Sequence, residues 1–350
     1  MLALRAFLQK DLAPWLGLLR DPRSGEFIEK IGADPEAPKL LLVQARMAFS
    51  LAHLALLARG SGRDWLKSLA APLVENLRHY RNVQGLYGKS RGEAPLAYDQ
   101  SFVLLALATW QKLEPSAQNL AAMEALWQAM DQLRAPESGL FYEGAGPLSH
   151  NPQMHFYEAL LQAYAMTGNR LWLERAAGLR RAALAVFYDA ASGSMAEFKG
   201  QARREFGHQY EWAWLLLRER DFAPDQDLGP IAARLGAFAT RFGHLQKGPL
   251  RGAVLDAGLP SGECLEQSCL LWPQTEAIKY FAVTGRAGEA RALMDLIFKG
   301  WFGASRHWVN QLGPEGAILQ PECFTRLFYH LVLAITEGAR MGVWLEDFQA

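Results

Sequence analysis

The chain has 350 residues, half of them apolar and 21% charged, and its 36 basic and 36 acidic side chains cancel. This composition excludes a disordered chain, and a net charge of zero removes the electrostatic motive for binding nucleic acid or an acidic membrane. No stretch reaches the roughly 20 apolar residues that a bilayer crossing needs; the longest, Leu51 to Ala58, contains His53 and ends at Arg59-Gly60.

Residues 2–20 predict a first helix. Its Arg5, Lys10 and Asp11 stand where a signal peptide needs an unbroken apolar core, so a cytoplasmic protein is expected. Apolar residues at three- and four-residue steps then predict helices over 40–57, 64–80, 100–112, 115–133, 153–167, 170–187, 209–220, 226–241, 267–284, 286–300 and 325–344. The three cysteines, Cys264, Cys269 and Cys323, are too few and too unevenly spaced for a disulfide scaffold or a zinc ribbon, and Cys264 and Cys269 read as buried thiols.

The connections alternate in length. Gly60-Ser61-Gly62, Glu114-Pro115, Thr167-Gly168-Asn169 and Gly285-Arg286 are tight turns. The others are long, and each carries a glycine-punctuated core or short polar run that suits a small hairpin: residues 24–27, 85–88, 138–142, 192–195, 252–255 and 308–311. Arg46, Asp99, His155, His208, Gln267 and His330 mark the openings of the helices that follow, at gaps of 53, 56, 53, 59 and 63 residues. A recurring unit of this size, with all long loops on one side, predicts an all-α (α/α)6 barrel of six helical hairpins, with short β-hairpins at one mouth. An open superhelix is the alternative arrangement.

The inner helices of such a barrel should be apolar nearly all round, yet several open with polar clusters. These are Asn151-Pro-Gln-Met-His155 with Glu158, Gly207-His208-Gln-Tyr-Glu211-Trp-Ala-Trp214, Leu271-Trp272-Pro-Gln-Thr-Glu276, Phe328-Tyr329-His330 and Arg46-Met-Ala-Phe49. A histidine on an apolar helix is ordinarily a satisfied core residue, a nearby glutamate its partner, and Arg46 could snorkel to the surface. Recurrence at one end of successive inner helices argues instead for a shared pocket. The His-x-x-Glu order is the reverse of the Glu-x-x-His of di-iron bundles, so no metal is assigned. No nucleophile elbow, P-loop or dinucleotide fingerprint is found. His150 is read as a residue lining the mouth.

Taken together, these motifs resemble those of the N-acylglucosamine 2-epimerase superfamily, from about Arg46 to Glu337 and in family order. The resemblance implies the (α/α)6 barrel, with residues 1–350 as one catalytic domain. It also implies 1,2-proton chemistry on an open-chain sugar, without metal or nicotinamide. Histidine suits that task because its pKa of about 6.5 lies near working pH. The resemblance makes His208 and His330 the acid–base pair. Arg46 would hold the carbonyl or enediolate oxygen, Glu211 would orient His208 or bind hydroxyls, and His155 would assist ring opening. Asn151, Trp272 and Glu276 would shape the pocket, Trp308 would offer a stacking face, and Tyr98 and Asp99 would reach the sugar. The Gly-His-Gln-Tyr-Glu-Trp-Ala-Trp form looks more like the mannose-type aldose–ketose isomerases than the epimerases. Phe206, where a proline is common, and Glu322-Cys-Phe-Thr-Arg326 depart from the family pattern around the pocket. A 2-epimerase acting on N-acylglucosamine or another aldose, an (α/α)6 glycoside hydrolase and a non-catalytic sugar-binding protein are the alternatives. The expected partner is a small sugar, with no nucleic acid and no membrane, and a homodimer is left open.

Overall fold

A computed structural model describes residues 2–143 and 146–344. In chain order its helices are α1 Leu2–Ala6, α2 Leu12–Leu19, α3 Leu41–Leu57, α4 Gly60–Leu77, α5 Ala97–Leu113, α6 Ala117–Ala129 and α7 Asn151–Thr167. They continue with α8 Arg170–Phe187, α9 Phe206–Phe222, α10 Gly229–Phe242, α11 Leu271–Val283, α12 Ala287–Ile297 and α13 Phe328–Arg340. The strands are short: β1 Tyr188–Asp189, β2 Ser194–Met195, β3 Arg204–Glu205, β4 Ala257–Gly258, β5 Cys264–Glu266, β6 Cys269–Leu270, β7 Gln311–Leu312 and β8 Ile318–Gln320. No described helix is long and apolar enough to cross a membrane.

The chain divides into two compact units. The first comprises Arg20–Tyr188 with Glu197–Gly200. In it α3, α5 and α7 pack side by side, and each packs against the helix that follows it. α5 is buried on every side over most of its length, while α8 buries a single stripe of Trp172, Leu173, Ala176, Leu179, Ala183 and Phe187. That difference separates inner from outer helices as the hydrophobic pattern predicts. The caps are local: the Ser116 Oγ accepts from the Asn119 N–H at 3.1 Å, and the Asn169 Oδ1 from the Leu171 N–H at 3.1 Å. α7 has Pro152 in its first turn and ends at Gly168, whose φ of 70° is the left-handed stop.

The second unit comprises Met1–Leu19, Asp189–Ala196 and Gln201–Ala350. Here α9, α11 and α13 pack side by side, with α10 against α9 and α12 against α11. The outer partner of the C-terminal segment comes from the N-terminus. The Trp15 ring lies 4.6 Å from Trp308 and 4.8 Å from Phe328, and Phe7 packs on Phe298 and Phe302. Two three-stranded antiparallel sheets, β3-β4-β5 and β6-β7-β8, complete the unit.

One device recurs where a long loop meets an inner helix. The side-chain oxygens of Gln44, Gln100, Gln153, Gln209 and Gln274 accept the backbone N–H of Phe27, Tyr87, Phe141, Met195 and Val254, at 2.6–2.8 Å. The same amides donate back to the carbonyls of those residues, at 2.7–3.1 Å. Two residues before each clamped residue stands a glycine at positive φ: Gly25, Gly85, Gly139, Gly193 and Gly252. Four of the clamped residues are bridged to Arg20, Arg81, Arg134 and His244, and Met195 lies on β2. The three arginines donate from their side chains to the carbonyl of the turn glycine. A buried two-point clamp satisfies a loop residue's backbone that no strand neighbour reaches. Thus glycine turn, clamped residue and helix-opening glutamine fix each loop onto the helix below it.

Three expectations change. The last hairpin turns at residues 313–317, between β7 and β8, and not at 308–311. Gly60-Ser61-Gly62 is not a separate turn: the corner falls at Gly60, whose φ is 51°, and Ser61 and Gly62 already belong to α4. Gln267 does not open a helix. It lies between β5 and β6, and α11 begins at Leu271 because Cys269 and Leu270 are drawn into pairing with β7. The positions Arg46, Asp99, His155, His208 and Gln267 are therefore not equivalent. Counted from the clamp glutamine, Arg46, Phe102, His155, Glu211 and Glu276 share the place two residues on, whereas Asp99 and His208 stand one before it. α13 carries Tyr329-His330 and no clamp glutamine.

Candidate active site

In the first unit the helix openings gather Arg46, Tyr98, Asp99 and His155. Arg46 is 3% exposed, which excludes snorkelling. Its Nη2 donates to the Tyr98 hydroxyl at 2.6 Å, and its guanidinium lies 4.1 Å from the centre of the Phe102 ring. The His155 ring meets Tyr98 edge-on at 5.2 Å and Phe102 at 4.9 Å, with its Nδ1 3.3 Å from Glu158 Oε2. The Tyr98 N–H donates to Glu143 Oε1 at 2.7 Å. Burial pushes the Asp99 carboxyl up to about 7, and the charge of Glu143 pushes the same way; Arg46 and Lys89 pull it down. Burial also raises Glu143, against the bond from Tyr98. At the opening of α7 the Asn151 Oδ1 is buried with no hydrogen-bond partner among the described residues, an acceptor that a sugar hydroxyl would suit.

In the second unit α9, α11 and α13 bring together His208, Trp272 and His330. The Trp272 ring is half-buried, with His208 4.6 Å away and His330 5.9 Å away. Gly207 permits this approach, since a Cβ there would come within 2.5 Å of the Trp272 ring. Both imidazoles are nearly buried, at 7% and 5% exposure. Each has a carboxylate at Nδ1: Glu205 Oε2 at 3.3 Å for His208, and Glu276 Oε1 at 2.8 Å for His330. An ionised carboxylate at Nδ1 favours the tautomer with hydrogen on that nitrogen and directs proton exchange to Nε2. Behind this pair Glu276 Oε2 lies 2.5 Å from Lys279 Nζ, which is also 3.9 Å from Glu211 Oε1. Glu211, Glu276 and Lys279 have no exposed surface.

Glu205 and Lys279 are absent from the residues that spacing singled out, yet each stands three residues from one that was, on a shared helix face or beside it. Trp308 must be corrected. It is fully buried, stacked parallel to Phe328 with Trp15 and Phe302 around it, so its faces serve the core and offer no sugar platform. His150, expected at the mouth, is fully buried, with Nε2 2.9 Å from Glu197 Oε2. Cys269 and Cys323 are buried, and burial pushes both thiols up to about 12, whereas Cys264, expected buried, is partly exposed.

Comparison with known proteins gives the family and the fold. The family model described as N-acylglucosamine 2-epimerase (GlcNAc 2-epimerase) matches residues 26–334. A protein of Rhizobium meliloti (strain 1021) named mannose-6-phosphate isomerase is 27% identical over 361 residues, covering 91% of this chain and 90% of its own. Among solved structures, a D-mannose isomerase matches with a TM-score of 0.83 at 19% identity, over 96% of this chain and 97% of that one. A sugar epimerase from a ruminal bacterium matches with a TM-score of 0.84 at 16% identity, over 97% and 99%. The fold class is the all-α (α/α)6 barrel of these sugar isomerases and epimerases.

Proposed function

The chain belongs to the N-acylglucosamine 2-epimerase family, and we propose that it interconverts an aldose and a ketose of the mannose type through an enediolate, with His208 and His330 as the proton carriers. One observation carries this reading: two imidazoles on separate helices stand beside one tryptophan ring, each with a carboxylate at Nδ1. Two relatives named as mannose or mannose-6-phosphate isomerases support the substrate class.

The chemistry makes definite demands. A C–H beside a carbonyl becomes acidic only as the enediolate is stabilised. One imidazole takes the proton from C2, and a proton returns to C1; the other, as imidazolium, protonates O1 and then takes the proton from O2, so that the carbonyl forms at C2. C2 is oxidised and C1 reduced within one molecule, so no external oxidant or reductant enters the balance. Arg46 supplies positive charge for the developing oxyanion, and the Tyr98 hydroxyl it contacts fixes its direction. His155 serves ring opening, and Asn151, Asp99 and Tyr98 bind hydroxyls. Trp272 offers the apolar face of the site.

The test is a product screen of D-mannose, its 6-phosphate and related aldoses and ketoses, read by proton NMR in deuterium oxide. Ketose formation with deuterium entering C1 or C2 is expected. A C2-inverted aldose as sole product would make the protein an epimerase. Turnover with neither solvent exchange nor an isotope effect from C2-deuterated sugar would exclude the enediolate.

A further inference from the structure

Lys279 is a lysine with no exposed surface, on an inner helix where an apolar residue would be expected. Burying an ammonium costs several kcal/mol unless other groups compensate it. The compensation here is specific. Glu276 lies one turn earlier on α11 with Oε2 at 2.5 Å, and Glu211 on α9 has Oε1 at 3.9 Å. The Trp214 ring face is 3.9 Å below the ammonium. Further charged groups lie across that ring. The Trp214 Nε1 donates to Glu337 Oε1 on α13 at 3.0 Å, Glu337 pairs with Arg340, and Arg218 of α9 lies over the ring at 5.6 Å. His330 stands on the far side of Glu276, at its other oxygen.

We propose that Lys279 is a positioning residue for proton transfer, holding Glu276 ionised and aimed so that His330 keeps hydrogen on Nδ1 and exchanges its proton at Nε2. This deepens the proposed function and rests on His330 as a proton carrier. A carboxylate buried as deeply as Glu276 would otherwise take up a proton. A neutral Glu276 is a poorer acceptor for the imidazole N–H, so the tautomer preference would fade. If Glu276 stayed charged without Lys279, its uncompensated charge would hold the proton on His330. By either route the pair binds a proton more readily once Lys279 is gone, and the neutral base is reached only at higher pH.

The test is histidine nitrogen NMR of His330 across pH, with kcat/KM profiles of the same proteins. In the wild-type protein the Nδ1–H tautomer is expected. In Lys279→Met the His330 titration and the acid limb of kcat/KM should move up by about one pH unit or more, and below that raised midpoint the neutral Nδ1–H form should no longer be populated. Lys279→Arg should restore both. A folded Lys279→Met with unchanged tautomer and unchanged midpoint would overturn the proposal, whatever its activity. Should Lys279→Met fail to fold, lysine side-chain NMR of the wild-type protein decides: an ammonium at neutral pH is required, and a neutral amine overturns the proposal. These signals are read without turnover, so a chain inactive on every sugar would refute the proposed function while leaving the role of Lys279 separately measurable.

Discussion

Gly207 and Trp272 are in contact across α9 and α11, so closely that a methyl group on the glycine would fall 2.5 Å from the indole. The backbone at Gly207 is helical, and no unusual φ demands glycine there. The requirement is space. Gly207→Ala should therefore push the Trp272 ring away from His208 and disturb the spacing of both histidines. We expect a stability loss of about 1–3 kcal/mol, as overpacking ordinarily gives, and a fall in kcat/KM of about tenfold or more, in line with small misplacements at a reacting centre. Thermal melts and steady-state kinetics measure both. Unchanged kinetics would show that the Trp272 position does not govern the reaction.

His208→Asn and His330→Asn should each lower kcat by at least about two orders of magnitude, the range of general acid–base catalysis. The circular dichroism of both variants should match the wild type, because both side chains lie at helix openings beside the site. Near-normal turnover in either variant would remove that residue from the acid–base pair. In the wild-type protein the rate should fall as pH drops through the histidine range, since a protonated imidazole cannot act as the base.

The helical frame was legible because the outer helices carry one apolar stripe and the inner ones are apolar all round, two patterns that survive in a bare sequence. Five of the hairpin cores were legible from their glycines; the sixth, expected at 308–311, turns instead at residues 313–317 between β7 and β8. The register was not. Arg46 and His155 share a place relative to the clamp glutamine, but His208 lies three positions before theirs and Asp99 likewise, and only the glutamine clamp reveals it. Its signal was present as a glycine two residues before an apolar one, followed by a glutamine at the helix opening. Trp308 was misread because an aromatic residue in a long loop looks the same whether a ligand or Trp15 covers it. Lys279 escaped notice because nothing local marks a lysine as buried, although its spacing from Glu276 put the two on one face.

The clamp itself can be tested where it lies away from the proton carriers. In Gln153→Leu the side chain keeps its bulk, and the Phe141 N–H and C=O lose their partner. Leaving buried backbone groups unsatisfied costs about 1–3 kcal/mol each, so a drop of roughly 2–5 kcal/mol in unfolding free energy is expected. Denaturant unfolding measures it. Gln153→Glu tests direction: as the carboxylic acid it keeps the acceptor for the Phe141 N–H and an O–H donor for its carbonyl, and as the carboxylate it loses that donor, so it should cost less than the leucine at low pH and more as pH rises. A leucine variant as stable as the wild type would show that water replaces the clamp.

Asp99 sets a pH dependence whose sign follows from its environment. Its carboxyl is held up to about 7, chiefly by burial and then by Glu143, whereas in the unfolded chain it titrates near 4. The folded protein therefore binds this proton more tightly than the unfolded chain does, and stability falls as pH rises from about 4 to about 7, then levels. Asp99→Asn removes the titration. The stability difference, variant minus wild type, should grow across that window by an amount on the order of 4 kcal/mol, at about 1.4 kcal/mol per unit. Glu143 is raised too, which steepens the wild-type fall, and removing the Asp99 charge should let Glu143 ionise more readily. Unfolding curves for the two proteins at pH 5 and pH 8 decide the matter. A constant difference between them would mean that Asp99 is ionised throughout, which would require Arg46 and Lys89 to outweigh its burial.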